Sequence, residues 1–244
     1  MDALIGEYSR LQGGDGRVQR DRMLRADILR SNVRIALLNS FCWITVSSEG
    51  AIVLDWHSTT THIGRVVDAL IVVDMQVGLL DGAPKYGLPK VIGRINSLSA
   101  KLRNDGGAVI WIRHCGKPGE GFERGTPGWE FLPDLVHHPG DTIVDKTLND
   151  PFVGTHLGDT LSRLQPRRVL VTGWATDFCV DATVRSSISH DHHVVAVSDA
   201  HTLSNRPHLP AAAIIAHHNW VWSGLITNRS VRVVSAAVPL AEST

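Results

Sequence analysis

From Asp68 onward, short runs of valine, isoleucine and other apolar residues alternate with longer amphipathic stretches. Apolar strands separated by helical stretches are typical of a parallel sheet with helical crossover connections. The pattern therefore predicts a sheet of about six strands. The strand candidates are residues 69–74, 108–113, 142–144, 168–172, 194–198 and 231–234.

Helical periodicity fills the connections between these strands. Apolar residues recur at helical spacing from Val91 to Leu102, behind Pro89, which predicts a helix in the first crossover. A second helix is predicted over residues 209–222. The predicted fold class is α/β, a doubly wound and mostly parallel sheet with helices on both faces, as in Rossmann-type three-layer sandwiches. In such sheets ligands bind outside the carboxyl ends of the strands.

Residues 1–66 lack this rhythm. An arginine-rich, glycine-containing start is followed by a moderately apolar run over residues 33–53. We interpret the segment as an N-terminal extension that either packs on the domain or a partner or is a flexible tail. Its structure is expected to be disordered or irregular, or else one helix or hairpin, and a true start near Val67 is a further alternative. The predicted domain covers residues 67–244.

Composition narrows the class of partner. Lysine and arginine number 24, as do aspartate and glutamate, so no net field attracts nucleic acid or an anionic membrane surface. A small, roughly neutral substrate fits this balance better than a polyanion. No apolar stretch approaches the ~20 residues of a membrane-spanning helix, and no signal peptide is evident. None of the three cysteines forms a CxxC pair, so a cytoplasmic protein without a disulfide framework is expected.

Three polar residues follow the ends of predicted strands. Asp74 closes the first strand, Lys146 follows the third, and Cys179 comes shortly after the fourth. Because parallel strands end at one edge of the sheet, the three side chains are expected to converge there. Each also has a simpler interpretation: an aspartate that caps a turn, a solvated surface lysine and a small buried thiol.

Cys179 is the candidate nucleophile. Thr176 or Asp177 is expected to cap a helix whose first turn contains this cysteine. The positive end of the helix dipole would lower the pKa of the thiol. A carboxylate such as Asp74 would accept the thiol proton, and the ammonium of Lys146 would favour the thiolate.

Three stretches carry a family resemblance, in the order ALIVVDMQVGLLDG, VDKTLNDPFVGTHL and VTGWATDFCVDATVRSS. They resemble the isochorismatase-like cysteine hydrolases, which include nicotinamidases, N-carbamoylsarcosine amidohydrolase and streptothricin hydrolase. The likeness runs from about Asp68 to Val238, and it includes GTPGWEFLPDL and AHHNWVWSGLI. It does not cover residues 1–66.

The resemblance implies a role for each matching position. Asp74 falls on the family's general base and acid, Lys146 on the lysine that balances charge, and Cys179 on the nucleophile. A cis peptide bond is implied between Trp174 and Ala175, which turns the Ala175 N–H towards the substrate. The backbone N–H groups of Ala175 and Cys179 would then form the oxyanion hole. The implied reaction is hydrolysis of a C–N bond in an amide, lactam or carbamoyl group through a thioester.

The chain departs from the metal site of the nicotinamidases, an Asp-x-His stretch with a further histidine. The corresponding strand here ends in Ile112-Arg113-His114, so the metal-binding aspartate is absent. Asp55-Trp56-His57 lies upstream of the matched domain, and we interpret it as a coincidence. No metal and no other cofactor is predicted.

Several side chains near the strand ends are candidates for the substrate pocket, although aromatic residues at such places are commonly part of the core. The glutamine among them is also a candidate for orienting the catalytic carboxylate. The candidates are Gln76, His114, Trp129, Phe152, Trp174 and Phe178.

Two other functions stay open. Isochorismatases hydrolyse a vinyl ether without needing a thiol, so an ether hydrolase that depends on Asp74 is one alternative. A non-catalytic protein that retains the fold is the other. Relatives are commonly dimers or tetramers, so a homo-oligomer is expected.

Overall fold

The computed structural model describes residues 67–237 and, before them, four short strands. These strands form two antiparallel pairs, β1 (Ile28–Leu29) with β2 (Asn32–Val33) and β3 (Cys42–Val46) with β4 (Ile52–Trp56). The chain divides into two units, Met1–Ile63 and Gly64–Thr244. The interpretations of residues 1–66 as an extension and of Asp55-Trp56-His57 as a coincidence depend on the segments between these strands and on side chains, which lie outside the described residues.

Six strands form one parallel sheet in the second unit. Their spatial order is β10-β9-β8-β5-β6-β7, and every neighbouring pair is parallel. The strands are β5 (Ala69–Val73), β6 (Ala108–His114), β7 (Thr142–Lys146), β8 (Val169–Trp174), β9 (Val194–Thr202) and β10 (Val231–Val234). The prediction of a doubly wound α/β sheet is confirmed.

Four strands extend further than predicted at their carboxyl ends. β6 and β8 are longer by one and two residues and end at His114 and Trp174. β7 reaches Lys146, which pairs with His114 of β6, and β9 reaches Thr202. In β7 and β9 the hydrophobic pattern stops earlier because polar side chains occupy the ends of these strands, where the sheet meets the candidate site. Pairing with β6 continues through the end of β7, whereas the pairing of β9 with β8 shifts register after Ala196 and resumes at His201 and Thr202.

Helices cover both faces of the sheet. Ala69, Ile71 and Val73 pack on one face, and Leu70 and Val72 pack on the other. The described helices are α1 (Val77–Leu80), α2 (Leu88–Asn104), α3 (Leu157–Leu164), α4 (Asp181–Ser189) and α5 (Ala211–Ser223), with a 3-10 turn at Pro127–Trp129 and a π-helical turn at Thr176–Val180. None of the helices in this part of the chain has the length and hydropathy needed to cross a bilayer.

Both helical layers supply apolar side chains to the sheet. Helix α2 contributes Ile95 and Leu98 to the core under one face. Leu161 of α3 and Val184 of α4 lie in the core under the other. The result is the predicted three-layer sandwich, with α2 as the helix expected in the first crossover.

The chain reverses its direction of winding between β5 and β8. From β5 it proceeds outward through β6 to β7, and then returns to place β8 on the opposite side of β5. Gly173 lies at this junction with φ 117°, and a Cβ there would lie 2.2 Å from the carbonyl oxygen of Val73. Only glycine fits such a close approach of two backbones. Ligand sites of open α/β sheets lie at such switch points.

Candidate active site

The carboxyl ends of four neighbouring strands bring Asp74, His114, Lys146 and Cys179 together. Lys146 Nζ donates a hydrogen bond of 2.6 Å to Asp74 Oδ2 and one of 3.3 Å to Cys179 Sγ. The side chains of Lys146 and Asp74 are fully buried, and Cys179 is 5% exposed. The three residues predicted to converge therefore share one buried site.

Asp74 turns the chain at the end of β5. Its φ is +50°, and its N–H donates to the carbonyl of Ile112. Asp74 Oδ1 is buried and has no hydrogen-bond partner within residues 67–237. A carboxylate oxygen of Asp74 and the sulfur of Cys179 lie within 4.8 Å of each other. The carboxylate thus has a free acceptor position beside the thiol.

The thiol of Cys179 does not have the lowered pKa expected from the helix dipole. Burial raises the pKa of Cys179 to about 12, and the negative charge of Asp74 adds to this increase. Lys146 acts in the opposite direction but does not outweigh burial. The expectation is therefore wrong for the resting site, because the sequence pattern does not show how deeply the thiol lies. The resting site holds a thiol beside a carboxylate.

The predicted helix cap also differs. Ala175 takes the N-cap position of the π-helical turn, and no side chain caps it. The hydroxyl of Thr176 instead pairs with His201 Nδ1 at 2.9 Å, and Asp177 forms a bidentate pair with Arg206. Both polar side chains are used to hold this turn against the segment around β9.

His201 connects the π-helical turn that carries Cys179, hereafter the nucleophile turn, to helix α5. Its Nε2 lies 3.1 Å from Asn219 Oδ1, and Asn219 Nδ2 donates to the carbonyl of Ser198. Burial lowers the pKa of His201 to about 4. A neutral imidazole can accept from the hydroxyl of Thr176 at Nδ1 and donate to Asn219 at Nε2. The sequence reasoning missed this connection, since the two partners of His201 are distant in the chain.

The peptide bond between Trp174 and Ala175 is cis, as the resemblance implied. Ala175 is fully buried at the N-cap position of the π-helical turn, and its carbonyl accepts from the N–H groups of Phe178 and Val180. Cys179 lies in the first turn that follows. The two positions predicted to supply the oxyanion hole are therefore four residues apart around one turn.

His114 completes the group around Lys146. Its Nδ1 lies 3.1 Å from Lys146 Nζ, and burial and the lysine charge lower the pKa of the imidazole. Asp74, His114 and Cys179 each offer one ligand atom within 4.8 Å of one another, a spacing that can hold a metal ion. Here the ammonium of Lys146 contacts all three residues, so the protein supplies its own cation at this position. The prediction of a site without metal stays a prediction.

Gln76 has a different position from the one expected. Its Nε2 donates to the carbonyls of His114 and Trp129, and its Oε1 accepts from the His114 N–H. The side chain is fully buried and does not bond the carboxylate of Asp74. Gln76 therefore fixes the backbone of the loops around the site.

The aromatic candidates divide between core and surface. Trp129 is buried, with the guanidinium of Arg113 3.3 Å from its ring centre, and Phe152 stacks on His190. Trp174 is partly buried and packs against the core. Phe178 is 50% exposed directly beside Cys179. Phe178 is therefore the aromatic candidate that the structure leaves open to a ligand.

Asn149 is a further neighbour of the nucleophile that the sequence reasoning missed. The thiol of Cys179 donates to Asn149 Oδ1 at 3.5 Å. Asn149 is exposed and follows Lys146 by three residues. That short separation from a candidate catalytic residue is the one signal in the sequence that points to it.

Comparison with known proteins identifies a matching family model and similar hydrolases. A family model described as "Isochorismatase domain" matches residues 68–219. Streptothricin hydrolase of Streptomyces noursei is 34% identical over 145 residues, which cover 59% of this chain and 52% of the relative. Ureidoacrylate amidohydrolase RutB of Enterobacter sp. (strain 638) is 28% identical over 169 residues, covering 54% of this chain and 74% of the relative.

A solved structure shows the same fold. The crystal structure of an isochorismatase from Pseudomonas putida KT2440 superposes with a TM-score of 0.64 at 26% identity, covering 70% of this chain and 88% of that one. The chain spans little more than half the length of the streptothricin hydrolases it matches, 52% of one and 58% of the other.

Proposed function

This chain belongs to the isochorismatase family, whose domain covers residues 68–219, and from this premise we propose that it is a cysteine-dependent hydrolase of C–N bonds. Its substrate would be a small molecule with an amide, lactam or carbamoyl group. The names of the similar proteins, a streptothricin hydrolase and an amidohydrolase, favour this class of bond. The proposal includes action without a metal, in the cytoplasm, as a homodimer or homotetramer, and without nucleic acid or membrane partners.

One observation carries the proposal: Lys146 holds Asp74 and Cys179 in a single buried arrangement. Its ammonium bonds Oδ2 of the carboxylate and Sγ of the thiol, and leaves Oδ1 of the carboxylate unpaired within the described residues. A general base must lie within reach of the proton that it removes. We propose that Asp74 takes this role towards Cys179, since one of its carboxylate oxygens lies within 4.8 Å of the sulfur. Lys146, which bonds both side chains, would stabilise the negative charge on the carboxylate or on the sulfur.

The first half of the reaction forms a thioester. Asp74 takes the proton of the Cys179 thiol while Sγ attacks the carbonyl carbon of the substrate. The N–H groups of Ala175 and Cys179 donate to the oxygen that becomes negative. Asp74 then passes the proton to the nitrogen of the leaving group, the C–N bond breaks, and the amine departs.

The second half releases the acid. Asp74 takes a proton from a water molecule whose oxygen attacks the thioester carbon. The C–S bond breaks as the tetrahedral intermediate collapses, and the proton returns from Asp74 to the sulfur. The carboxylic or carbamic acid leaves, and Asp74 and the Cys179 thiol are restored.

The raised pKa of Cys179 fits a base that acts during the attack. Because burial and Asp74 oppose a free thiolate, the thiol remains protonated until a substrate is present. Proton removal and carbon–sulfur bond formation would then proceed together, and the charge would move from Asp74 to the oxygen held by the backbone donors.

The test combines trapping with substitution. Wild type, Cys179→Ala, Asp74→Asn and, as a control on the other described free cysteine, Cys115→Ala would be incubated with a panel of small amides, lactams and carbamoyl compounds, starting with a streptothricin. We expect turnover and an acyl adduct on Cys179 in wild type and Cys115→Ala, and a loss of at least about 10³-fold in the other two.

Full turnover by Cys179→Ala would overturn the proposed function. Hydrolysis of isochorismate by that variant would support the ether hydrolase in its place. An absence of turnover and of acyl adducts across the whole panel in wild type would favour the non-catalytic alternative.

A further inference from the structure

The groups around the Cys179 sulfur differ in their access to solvent. Lys146 and Asp74 have fully buried side chains. Asn149 is exposed, and its Oδ1 accepts from the thiol at 3.5 Å. Among the described residues, Asn149 is thus the exposed hydrogen-bond partner of the sulfur. The side of the sulfur that faces this amide is therefore the side from which we expect a substrate to approach.

The loop that carries Asn149 is fixed by the residues before and after Asn149 in the chain. Lys146 precedes it at the end of β7, and the carboxylate of Asp150 follows it. Asp150 accepts from the N–H of Phe152 and from the hydroxyl of Ser186 in α4, the helix that continues from the nucleophile turn. The position of Asn149 relative to Cys179 is therefore set by the same elements that hold the catalytic residues.

The amide of Asn149 has capacity left for a ligand. Its Nδ2 has no acceptor within residues 67–237, and its Oδ1 has the Cys179 thiol as its donor. When the thiol proton moves to Asp74 during attack, Oδ1 loses that donor. Oδ1 then has a free acceptor position beside the reacting atoms, which an N–H or O–H of the substrate can fill in place of solvent.

We propose that Asn149 is a further catalytic residue that selects substrates with an N–H at the scissile bond. This inference rests on the proposed function. Oδ1 accepts the N–H of the leaving nitrogen in the transition state, while the lone pair of that nitrogen receives the proton from Asp74. Secondary amides, lactams and ureido groups carry this N–H. Esters, ethers and fully substituted amides lack this N–H and give Oδ1 no hydrogen bond from the substrate.

The experiment compares an amide and an ester of the same acyl group. The probes are p-nitroacetanilide and p-nitrophenyl acetate, which differ at the scissile bond by N–H against oxygen and release coloured products. Wild type, Asn149→Ala and Thr147→Ala would be assayed for kcat/KM, with mass spectrometry of acetylated Cys179. Thr147 is the matched control, since it is exposed in the same loop and lies outside the proposed machinery.

We expect Asn149→Ala to lower kcat/KM by about tenfold for the anilide and by less than about twofold for the ester. The tenfold decrease corresponds to the loss of one hydrogen bond in the transition state. Thr147→Ala should leave both values unchanged. Because Asn149 is exposed, its substitution is not expected to affect folding, and thermal unfolding of the three proteins checks this.

The outcomes separate this inference from the proposed function. An equal change with both probes in Asn149→Ala, or acetylation of wild-type Cys179 by the ester but not by the anilide, would overturn the selection by Asn149 and leave the thiol chemistry intact. Wild-type Cys179 that is acetylated by neither probe would contradict the proposed function itself, and the role of Asn149 with it.

Discussion

Lys146 is the residue on which the electrostatics of the site depend. Its fully buried ammonium lies 2.6 Å from Asp74, 3.1 Å from His114 and 3.3 Å from Cys179. Burial of a single charge is strongly unfavourable, and a paired charge with further hydrogen bonds is tolerated. The lysine and the carboxylate therefore form a fixed pair, and the thiol is the group that stays neutral.

The pH dependence of Cys179 alkylation follows from this arrangement. Because burial and Asp74 raise the pKa of the thiol to about 12, the thiolate fraction should grow about tenfold per pH unit throughout the range from pH 7 to 10. Iodoacetamide labelling, mapped by mass spectrometry, should show a rate that rises over this whole range without a plateau.

Asp74→Asn is the informative variant in that measurement. It removes the carboxylate that raises the pKa of the thiol and leaves the ammonium of Lys146 that lowers it. We expect a lower thiol pKa and labelling at pH 8 that is at least about threefold faster than in wild type. Cys115 in the same samples provides the internal control. A plateau below pH 8 in wild type would contradict the raised pKa.

At the scale of elements, the junction of β8 with the nucleophile turn determines the geometry of the site. Gly173 passes directly beside Val73 of β5, and the turn at Thr176–Val180 begins three residues later. The hydrogen-bonded chain from Thr176 through His201 to Asn219 then ties this turn to β9 and α5. Packing between backbones and one buried imidazole thus position the cysteine.

Substitution of Gly173 should disrupt this junction. A Cβ in Gly173→Ala would lie 2.2 Å from the oxygen of Val73, at a φ of 117°, and we expect a loss of about 3 kcal/mol or more in the free energy of unfolding. Gly93→Ala is the matched control, because an added Cβ in that exposed helical position meets no atom within 4 Å. It should stabilise the protein by about 0.5–1 kcal/mol. Urea unfolding compares the variants, and a tolerated Gly173→Ala would disprove the close approach.

His201 should make stability depend on pH. Its pKa is about 4 in the folded protein and about 6.5 when unfolded. Between these values the unfolded chain binds the extra proton, so stability is complete above about pH 6.5 and is lost as the pH falls towards 4, by up to roughly 3 kcal/mol.

The measurement is urea unfolding of wild type and His201→Asn at pH 7 and pH 4.5. The asparagine keeps an acceptor towards Thr176 but does not titrate, so the difference in unfolding free energy between the two proteins should narrow at the lower pH. If the difference in unfolding free energy between the two proteins is the same at both pH values, the protonation of His201 does not change with folding.

At the scale of the whole molecule, the sheet, its helices and the candidate site all belong to one unit of the chain. The strands from Ala69 to Val234 and the residues Asp74, Lys146 and Cys179 lie within Gly64–Thr244. The formal net charge of the chain is zero. The residues to which the proposed chemistry assigns a role therefore all lie in this unit.

A shortened chain that begins at Gly64 should keep the fold and the site. We expect cooperative thermal unfolding with a Tm within about 3 °C of the full chain, since a shift of that size corresponds to less than about 1 kcal/mol. Labelling of Cys179 should show the same pH dependence as in the full chain. Loss of cooperative unfolding, or a different labelling profile, would show that residues before Gly64 contribute to the domain.

The sequence by itself determined the order of the elements and predicted the three residues around which the candidate site is built. The strands appear as apolar runs, α2 appears as apolar residues at helical spacing, and Asp74, Lys146 and Cys179 appear as polar residues at strand ends. These signals are local, because the period of an element and its boundary are written in neighbouring residues. Parallel topology then brings the strand ends together.

The tertiary structure alone decided how those residues are held and how they ionise. The pKa of Cys179 depends on burial, the bonds of Gln76 depend on two distant loops, and His201 finds its partners 25 and 18 residues away. The position of Asn149 beside the sulfur depends on a loop anchored to another helix. Burial and long-range contacts arise from packing between distant segments, and hydrophobic periodicity carries no information about which polar side chains meet.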